Sequence, residues 1–427
     1  MKLFWVLLYN ILIYPLIFVV ALIGSAFNSK LRQGLIGRFH SISILKDTVK
    51  NWDKKRPIYW FHSASHGEFE QVKPVLKGLK EVDNDCYVIA SFFSPSGYNN
   101  VQDDNVDCKI YIPFDFIWSL RRAMKVVRPR KIIFASYDVW PNLIWLAEHR
   151  NIHVSVFAVR FESATSKVIP IIKNFYRTVY KSFATIYTIA DVDKTQLKRI
   201  LRSSDVPIIR VLGNPRYDQV KAKADKFTKN QTISVMMRDK RLIIGSVWPE
   251  DEKNIINPLL KLMEEDQELS VLWVPHEPSE KYIQSSIELF QTNGYDPSII
   301  FSKKKRKIQN NRVVIMGVVG VLSKFYWQGQ IAYIGGGFSS GIHNIMEPAI
   351  ARLPVIFGPK YNKSHEAMEL LKQGGGFSIK NGTEFYDIMK ILLNDKNRFL
   401  EASLAATQVI HDNVGSATRV VRSIIRD

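Results

Sequence analysis

Between Ile331 and Pro359 the chain reads IAYIGGGFSSGIHNIMEPAIARLPVIFGP. A short β-branched run ends in Gly335-Gly336-Gly337, a helical stretch predicted over Asn344–Ala351 follows, and a second apolar run begins at Pro354. That is a strand, a glycine turn, a helix and a parallel strand, the repeating unit of an α/β sheet wrapped by helices. Three glycines remove side chains where a phosphate or sugar must approach the backbone, and the helix start points partial positive charge at the same place. Glu347, one turn into the helix, is suited to accept hydrogen bonds from ribose hydroxyls.

Working outward, the same alternation continues in both directions. Downstream of a polar stretch at 219–234, read as a linker or an exposed helix, strands are predicted at Arg241–Ser246, Ser270–Val274, Val313–Met316, Gln330–Ile334 and Pro354–Phe357, with helices between them. Upstream, strands are predicted at Ile58–His62, Tyr87–Ser91, Lys109–Pro113, Lys131–Ala135, His153–Ala158, Thr185–Ile189 and Ile208–Leu212. With 427 residues the chain exceeds one compact core. The expectation is an α/β protein of two Rossmann-like domains facing across a cleft, the architecture called GT-B. Its parts are an N-terminal anchor at 1–27, a first domain at 28–218, a linker at 219–234 and a second domain at 235–427.

The anchor is read from composition. No charged residue occurs between Lys2 and Lys30, and Leu3 to Ile23 is almost wholly apolar, long enough as a helix to cross a bilayer. Gly24-Ser25-Ala26 resembles a cleavage site, but the apolar stretch exceeds the usual signal-peptide core. Pro15 and Asn10 also permit a broken helix lying in the interface. Lys30, Arg32, Arg38, Lys46, Lys50, Lys54, Lys55 and Arg56 then outnumber Asp47 and Asp53, which places this flank and the body behind it in the cytoplasm.

Lys and Arg number 59 against 40 Asp and Glu, a net charge of +19, so the surface should attract an anion. Basic runs at Arg121–Lys131 and Lys303–Lys307 face either phosphates or water. Only two cysteines occur, Cys86 and Cys108, without CxxC or a His/Cys cluster, so neither a disulfide framework nor a structural metal is expected.

A second informative stretch is HSASHGEFEQVKPVL, His62–Leu76. Here a strand runs through a small-residue loop into a helix opening near Glu68, at the carboxyl edge where ligands of open α/β sheets sit. Glu68 has two compatible readings, a carboxylate complementing the helix start and a base in a reaction. Asp138-Val139-Trp140-Pro141-Asn142 follows another strand at the same edge, with Asp138 read as a local cap or a second acid. Gly213-Asn214-Pro215-Arg216-Tyr217-Asp218 closes the first domain, with Arg216 an exposed loop cation or a phosphate clamp.

Taken together, SASHGE, DVWPNLI, GNPRYD, VPHEP and the GGG…HNIMEP…LPVIFGP block resemble the Kdo transferases in order and spacing over nearly the whole chain. The resemblance implies transfer of 3-deoxy-manno-octulosonic acid (Kdo) from CMP-Kdo onto lipid A precursor (lipid IVA) at the cytoplasmic face of the inner membrane, with inversion. It further implies Glu68 as general base, Arg216 as the transition-state cation and Asp138 as an assisting acid. Pro275, His276, Gly320, Gly336, Gly337, His343, Asn344 and Glu347 would form the CMP side. No metal or cofactor and no nucleic acid is implied. Ser136 stands where the family commonly has a Glu, His276 where it has an Arg, and Val321 where a Glu follows the Gly. Two other readings share these features: a membrane-associated transferase using a UDP-sugar, and a non-catalytic protein binding anionic lipid or nucleic acid.

Overall fold

The computed structural model describes residues 2–136, 138–161, 169–202, 207–228, 234–304 and 307–427. Two compact units emerge, one comprising Met1–Gln219 with Val414–Asp427 and the other Val220–Asn413. Each is built on a wholly parallel seven-stranded sheet.

In the first unit the strands are β1 (Ile58–Ser63), β2 (Tyr87–Phe92), β3 (Cys108–Tyr111), β4 (Lys131–Ala135), β5 (His153–Val159), β6 (Thr185–Thr188) and β7 (Ile208–Val211). Their spatial order is 3-2-1-4-5-6-7, which reverses direction between β1 and β4. Helices cover both faces, so β1 is buried at every position and reads as a continuous apolar run. Ile58, Trp60, Ile132 and Phe134 pack into one core layer and Tyr59, Phe61, Ile133 and Ala135 into the other, as the two-residue period of a strand requires.

The second unit contains β8 (Arg241–Val247), β9 (Ser270–Pro275), β10 (Ser298–Ile300), β11 (Val313–Met316), β12 (Ile331–Ile334), β13 (Val355–Phe357) and β14 (Gly376–Ser378), in the order 10-11-9-8-12-13-14. Its direction reverses between β8 and β12. The edge strands β10 and β14 are additions to the sequence expectation.

Two expectations are corrected. The second domain does not run to residue 427: helix Ser416–Arg426 returns to the first unit. Its Ala417, Val420, Val421 and Ile424 recur at helical spacing and enter the core layer of Phe61 and Leu76. Asp218 accepts hydrogen bonds from the N–H of Gly415 (2.7 Å) and Ala417 (3.0 Å), satisfying donors at that helix start. The stretch 219–234 is helical in its first part, as one of its two readings had it, but not as an exposed helix: Arg216–Thr228 runs into it with Val220 and Ala224 buried. Residues 229–233 lie outside the described residues, as do Lys305 and Arg306 of the basic run. The basic flank, for which the sequence reading gave no element, is largely helix, Ser29–Val49, with Leu35, Arg38 and Leu45 buried.

The apolar N-terminus is helical over Lys2–Phe27, long and apolar enough by composition to cross a membrane. A π turn occupies Tyr9–Ile13. Pro15 has no N–H and its ring crowds the preceding turn, and the wider turn accommodates this. Trp5, Tyr9 and Tyr14 are buried against the first unit. The Tyr9 hydroxyl donates to Asp115 Oδ2 (2.9 Å), and the Asp115 N–H donates to the Tyr14 hydroxyl (2.7 Å). Asn10 and Asn142 exchange two amide hydrogen bonds, both 2.9 Å.

Candidate functional site

The carboxyl ends of β1 and β4, where the first sheet reverses, carry Glu68 and Asp138 on neighbouring turns. In open α/β sheets this reversal opens a crevice for ligands. Helix His66–Val82 follows β1 and is capped by Ser65, whose Oγ accepts from the Glu68 N–H (3.4 Å). Glu68 folds back, and its Oε2 accepts from the Ala64 N–H (2.6 Å). The helix-start reading of Glu68 is therefore structurally correct. The same carboxyl is largely withdrawn from water: burial pushes its pKa up from 4.5 to about 7, the Ala64 bond opposes the shift, and the Asp138 charge adds to it.

Asp138 is not a local cap. Trp140 occupies the cap position of helix Pro141–His149 without a side-chain bond, and the Asn142 and Leu143 N–H groups donate instead to Asp115 (3.1 and 3.0 Å). Asp138 Oδ2 lies 3.1 Å from Nε2 of buried His62. The Trp140 indole N–H also reaches this Nε2 (3.1 Å), while His62 Nδ1 faces the Ser91 carbonyl (3.1 Å). Donation from Nδ1 to that carbonyl leaves Nε2 to accept from Trp140. The Trp140 ring stacks on Phe93 (5.4 Å), over which the buried Arg38 guanidinium sits at 4.5 Å. Ser136, at the end of β4, has a left-handed backbone (φ 65°) and accepts from Gln71 Nε2 (3.3 Å).

Arg216 opens helix Arg216–Thr228, with its N–H on Asn214 Oδ1 (3.0 Å). Its guanidinium makes no hydrogen bond or ion pair among the described residues. Gly213 (φ 84°) is required here, because a Cβ would fall 2.3 Å from Ser416 Oγ.

In the second unit the reversal lies between β8 and β12. Asp251, in the first turn of helix Pro249–Glu265, accepts from the N–H groups of Gly336 (2.7 Å) and Trp248 (3.0 Å) and from the Tyr333 hydroxyl (2.8 Å). It ties the glycine turn after β12 to the turn after β8. A Cβ on Gly337 would lie 2.5 Å from the Gly358 nitrogen, so the glycines of GGG and of FGP are needed by each other. Gly336 (φ 92°) would collide with the Gly341 carbonyl at 2.3 Å.

Pro275 ends β9 and delivers His276, whose N–H donates to Val247 O (2.9 Å). The His276 ring stacks against both Trp248 (4.3 Å) and His343 (4.4 Å), which lie side by side in nearly one plane. The Trp248 indole N–H donates to His343 Nε2 (2.9 Å), so the neutral ring carries its proton on Nδ1. Burial and the neighbouring His276 lower the His343 pKa to about 4. Thus Pro275, His276, Gly336, Gly337 and His343 come together. Asn344 is adjacent, its Oδ1 accepting from the Met346 N–H (3.1 Å). Glu347 lines a small cavity with Lys223, Ser323 and Trp327. Gly320 (φ 83°) sits in an exposed loop after β11, where a Cβ would meet no described atom within 4 Å.

Two features of this side differ from expectation. The helix begins at Met346, not Asn344, and has only five residues, too short to focus much dipole. The N–H groups of Gly335, Gly336, Ser339 and Gly341 are all spent on internal acceptors. The turn offers close backbone approach rather than those amide donors. Sequence reasoning also passed over Trp248 and Asp251, although Val247-Trp248-Pro249, a strand end followed by Pro at a helix start, repeats the logic applied to Trp140-Pro141. Arg38, Phe93 and Asp115 left no comparable local signal.

Residues 37–219 match a family model described as 3-deoxy-D-manno-octulosonic-acid transferase (kdotransferase). The chain is 26% identical over 357 residues to the 3-deoxy-D-manno-octulosonic acid transferase of Aquifex aeolicus, covering 82% of this chain and 89% of that one. The chain is thus similar to the Kdo transferases along most of its length. A second Kdo transferase, from Chlamydia trachomatis serovar A, is 24% identical over 80% of this chain and 79% of its own. These likenesses make the chain a glycosyltransferase and set aside a purely binding role. Among solved structures, the UDP-GlcNAc 2-epimerase from Neisseria meningitidis bound to UDP-GlcNAc aligns with a TM-score of 0.60 over 87% of this chain and all of that one, at 13% identity. That likeness speaks for the fold, two α/β units of the GT-B class.

Proposed function

We propose that this chain transfers Kdo from CMP-Kdo to lipid IVA during lipopolysaccharide biosynthesis, at the cytoplasmic face of the inner membrane, with inversion and with Glu68 as general base. One observation supports the choice of base above the others: a carboxyl at the β1 turn, held at one oxygen by Ala64 and raised by burial to about 7. A group poised near neutral pH is half ionised and still basic enough to take a proton.

In this reading the Glu68 carboxylate removes the proton from an acceptor hydroxyl. The hydroxyl oxygen forms a bond to the anomeric carbon of Kdo as the bond to the CMP phosphate oxygen breaks, and CMP departs with that electron pair. The Asp138 charge, beside His62, helps to sustain the high Glu68 pKa. Arg216, with its guanidinium uncommitted, offsets charge on the leaving phosphate. The second unit holds CMP: Gly336 and Gly337 admit the phosphate to the backbone, and Pro275, His276, His343, Asn344 and Glu347, with Gly320 nearby in sequence to β11, take the sugar and base. His276 keeps a donor where the family has an Arg.

The test is a radiolabelled assay offering CMP-Kdo or UDP-sugars with lipid IVA. Transfer from CMP-Kdo that falls by about 10²–10⁴ in Glu68→Gln supports the reading. An unaffected Glu68→Gln removes Glu68 from the mechanism, and transfer from a UDP-sugar alone replaces the donor.

A further inference from the structure

We propose that the N-terminal helix lies in the plane of one bilayer leaflet as an integral edge of the first unit, and does not cross the membrane. The helix is fixed along most of its length. Lys2 bonds Glu148 and Ser182, Tyr9 and Tyr14 bracket Asp115, Asn10 pairs with Asn142, and the Phe18 ring packs edge-on against Phe114 and Phe116 (both 5.3 Å). Lys2 to Phe18 spans roughly 24 Å at the helical rise, most of the roughly 30 Å hydrocarbon core. A spanning helix would either draw that side of the unit into hydrocarbon or strip the Tyr9 partner from a buried carboxylate.

The opposite face is apolar and uncovered: Leu3 is 71% exposed, Ile11 73% and Phe27 89%. It continues beyond the helix. Phe39 packs on Phe114 (4.8 Å) and Trp118 stacks on Phe116 (4.4 Å), and the Phe39 and Trp118 rings are themselves mostly exposed. Basic groups border this strip. On helix Ile117–Val127, Trp118, Arg121, Arg122 and Lys125 follow at three, four and seven residues and share one exposed face. An apolar strip with interfacial aromatics and a cationic border matches an anionic bilayer surface.

The strip also has a defined relation to the chemistry. Asp115 follows β3 and Asn142 follows β4, so the helix is docked at the carboxyl edge of the sheet, the edge that carries Glu68 and Asp138. A lipid headgroup in the same leaflet would meet that edge without leaving the membrane. The membrane geometry stands whether or not the sugar is Kdo.

The test uses the full chain bearing a cysteine-containing tag before Met1, since the native Cys86 and Cys108 are buried. A membrane-impermeant maleimide should label the tag in inverted inner-membrane vesicles and not in spheroplasts. The purified chain should also float with phosphatidylglycerol-containing vesicles. Leu16→Asp/Val20→Asp should weaken flotation roughly tenfold or more at unchanged melting temperature. If that variant does not fold, Arg121→Glu/Arg122→Glu should reduce binding selectively to the anionic vesicles. Labelling in spheroplasts shows a crossing helix and overturns the proposal. Failure of the unsubstituted chain to float overturns it equally.

Discussion

At Glu68 one carboxyl serves two purposes that pull its pKa in opposite directions. The Ala64 N–H favours the charged form, and burial, with Asp138, favours the neutral one and prevails. The first prediction concerns rate: kcat/KM should rise with pH along an acidic limb of apparent pKa near 7, and Asp138→Asn should move that limb downward. A pH profile of the two proteins checks it. The second concerns stability. Because the folded-state pKa of about 7 exceeds the ordinary 4.5, the folded state binds more protons between those values, so this group's contribution falls as pH rises through 7. Glu68→Gln should therefore gain melting temperature over the unsubstituted chain at about pH 8 and lose that advantage by about pH 5. An equal difference at both pH values would contradict the shift.

Among the elements, the turn after β12 is held by contacts that glycine alone allows. Gly337→Ala pushes a methyl into Gly358 backbone, which cannot swing aside as a side chain would, and should cost about 1–3 kcal/mol in urea unfolding. Asp251→Ala leaves the Gly336 N–H and the Tyr333 hydroxyl without their shared acceptor. The donor KM should rise more than kcat falls, measured by steady-state kinetics. This turn was readable from the sequence because three glycines at a strand end have few other uses. Its anchor was not, since Asp251 lies far upstream and an acid in a first helical turn is ordinary. The long buried strands β1, β4 and β8 were readable for their uninterrupted apolar runs. The three-residue strands β10 and β14 were not: at a sheet edge they bury too little to impose a pattern.

For the molecule as a whole, the two α/β units were legible in the repeated alternation, but the chain's return was hidden. Helix Ser416–Arg426 has the same apolar spacing whichever unit it packs on, and its packing beside Phe61 and Leu76 and its polar partners Asp218, Arg210 and Lys131 assign it to the first. Removing Val414–Asp427 should unfold the first unit while sparing the second, because it exposes a core layer in a fold whose net stability is about 5–15 kcal/mol. Limited proteolysis of the truncated chain reads this directly: protection confined to Val220–Asn413 is expected, and intact protection of both units would refute it.

That return of the C-terminus bears on how the protein is made. The second unit is continuous in sequence, from Val220 to Asn413, and has been translated in full before synthesis of the chain ends. The first unit begins earlier and finishes later, since its closing helix is translated after the whole second unit. At about 5–20 residues per second, the apolar N-terminal helix and one uncovered core layer of the first sheet stand exposed for tens of seconds. In the in-plane geometry proposed for that helix, its early capture by a lipid surface would shelter the half-built domain, so one element would serve both as a membrane contact and as a nursery.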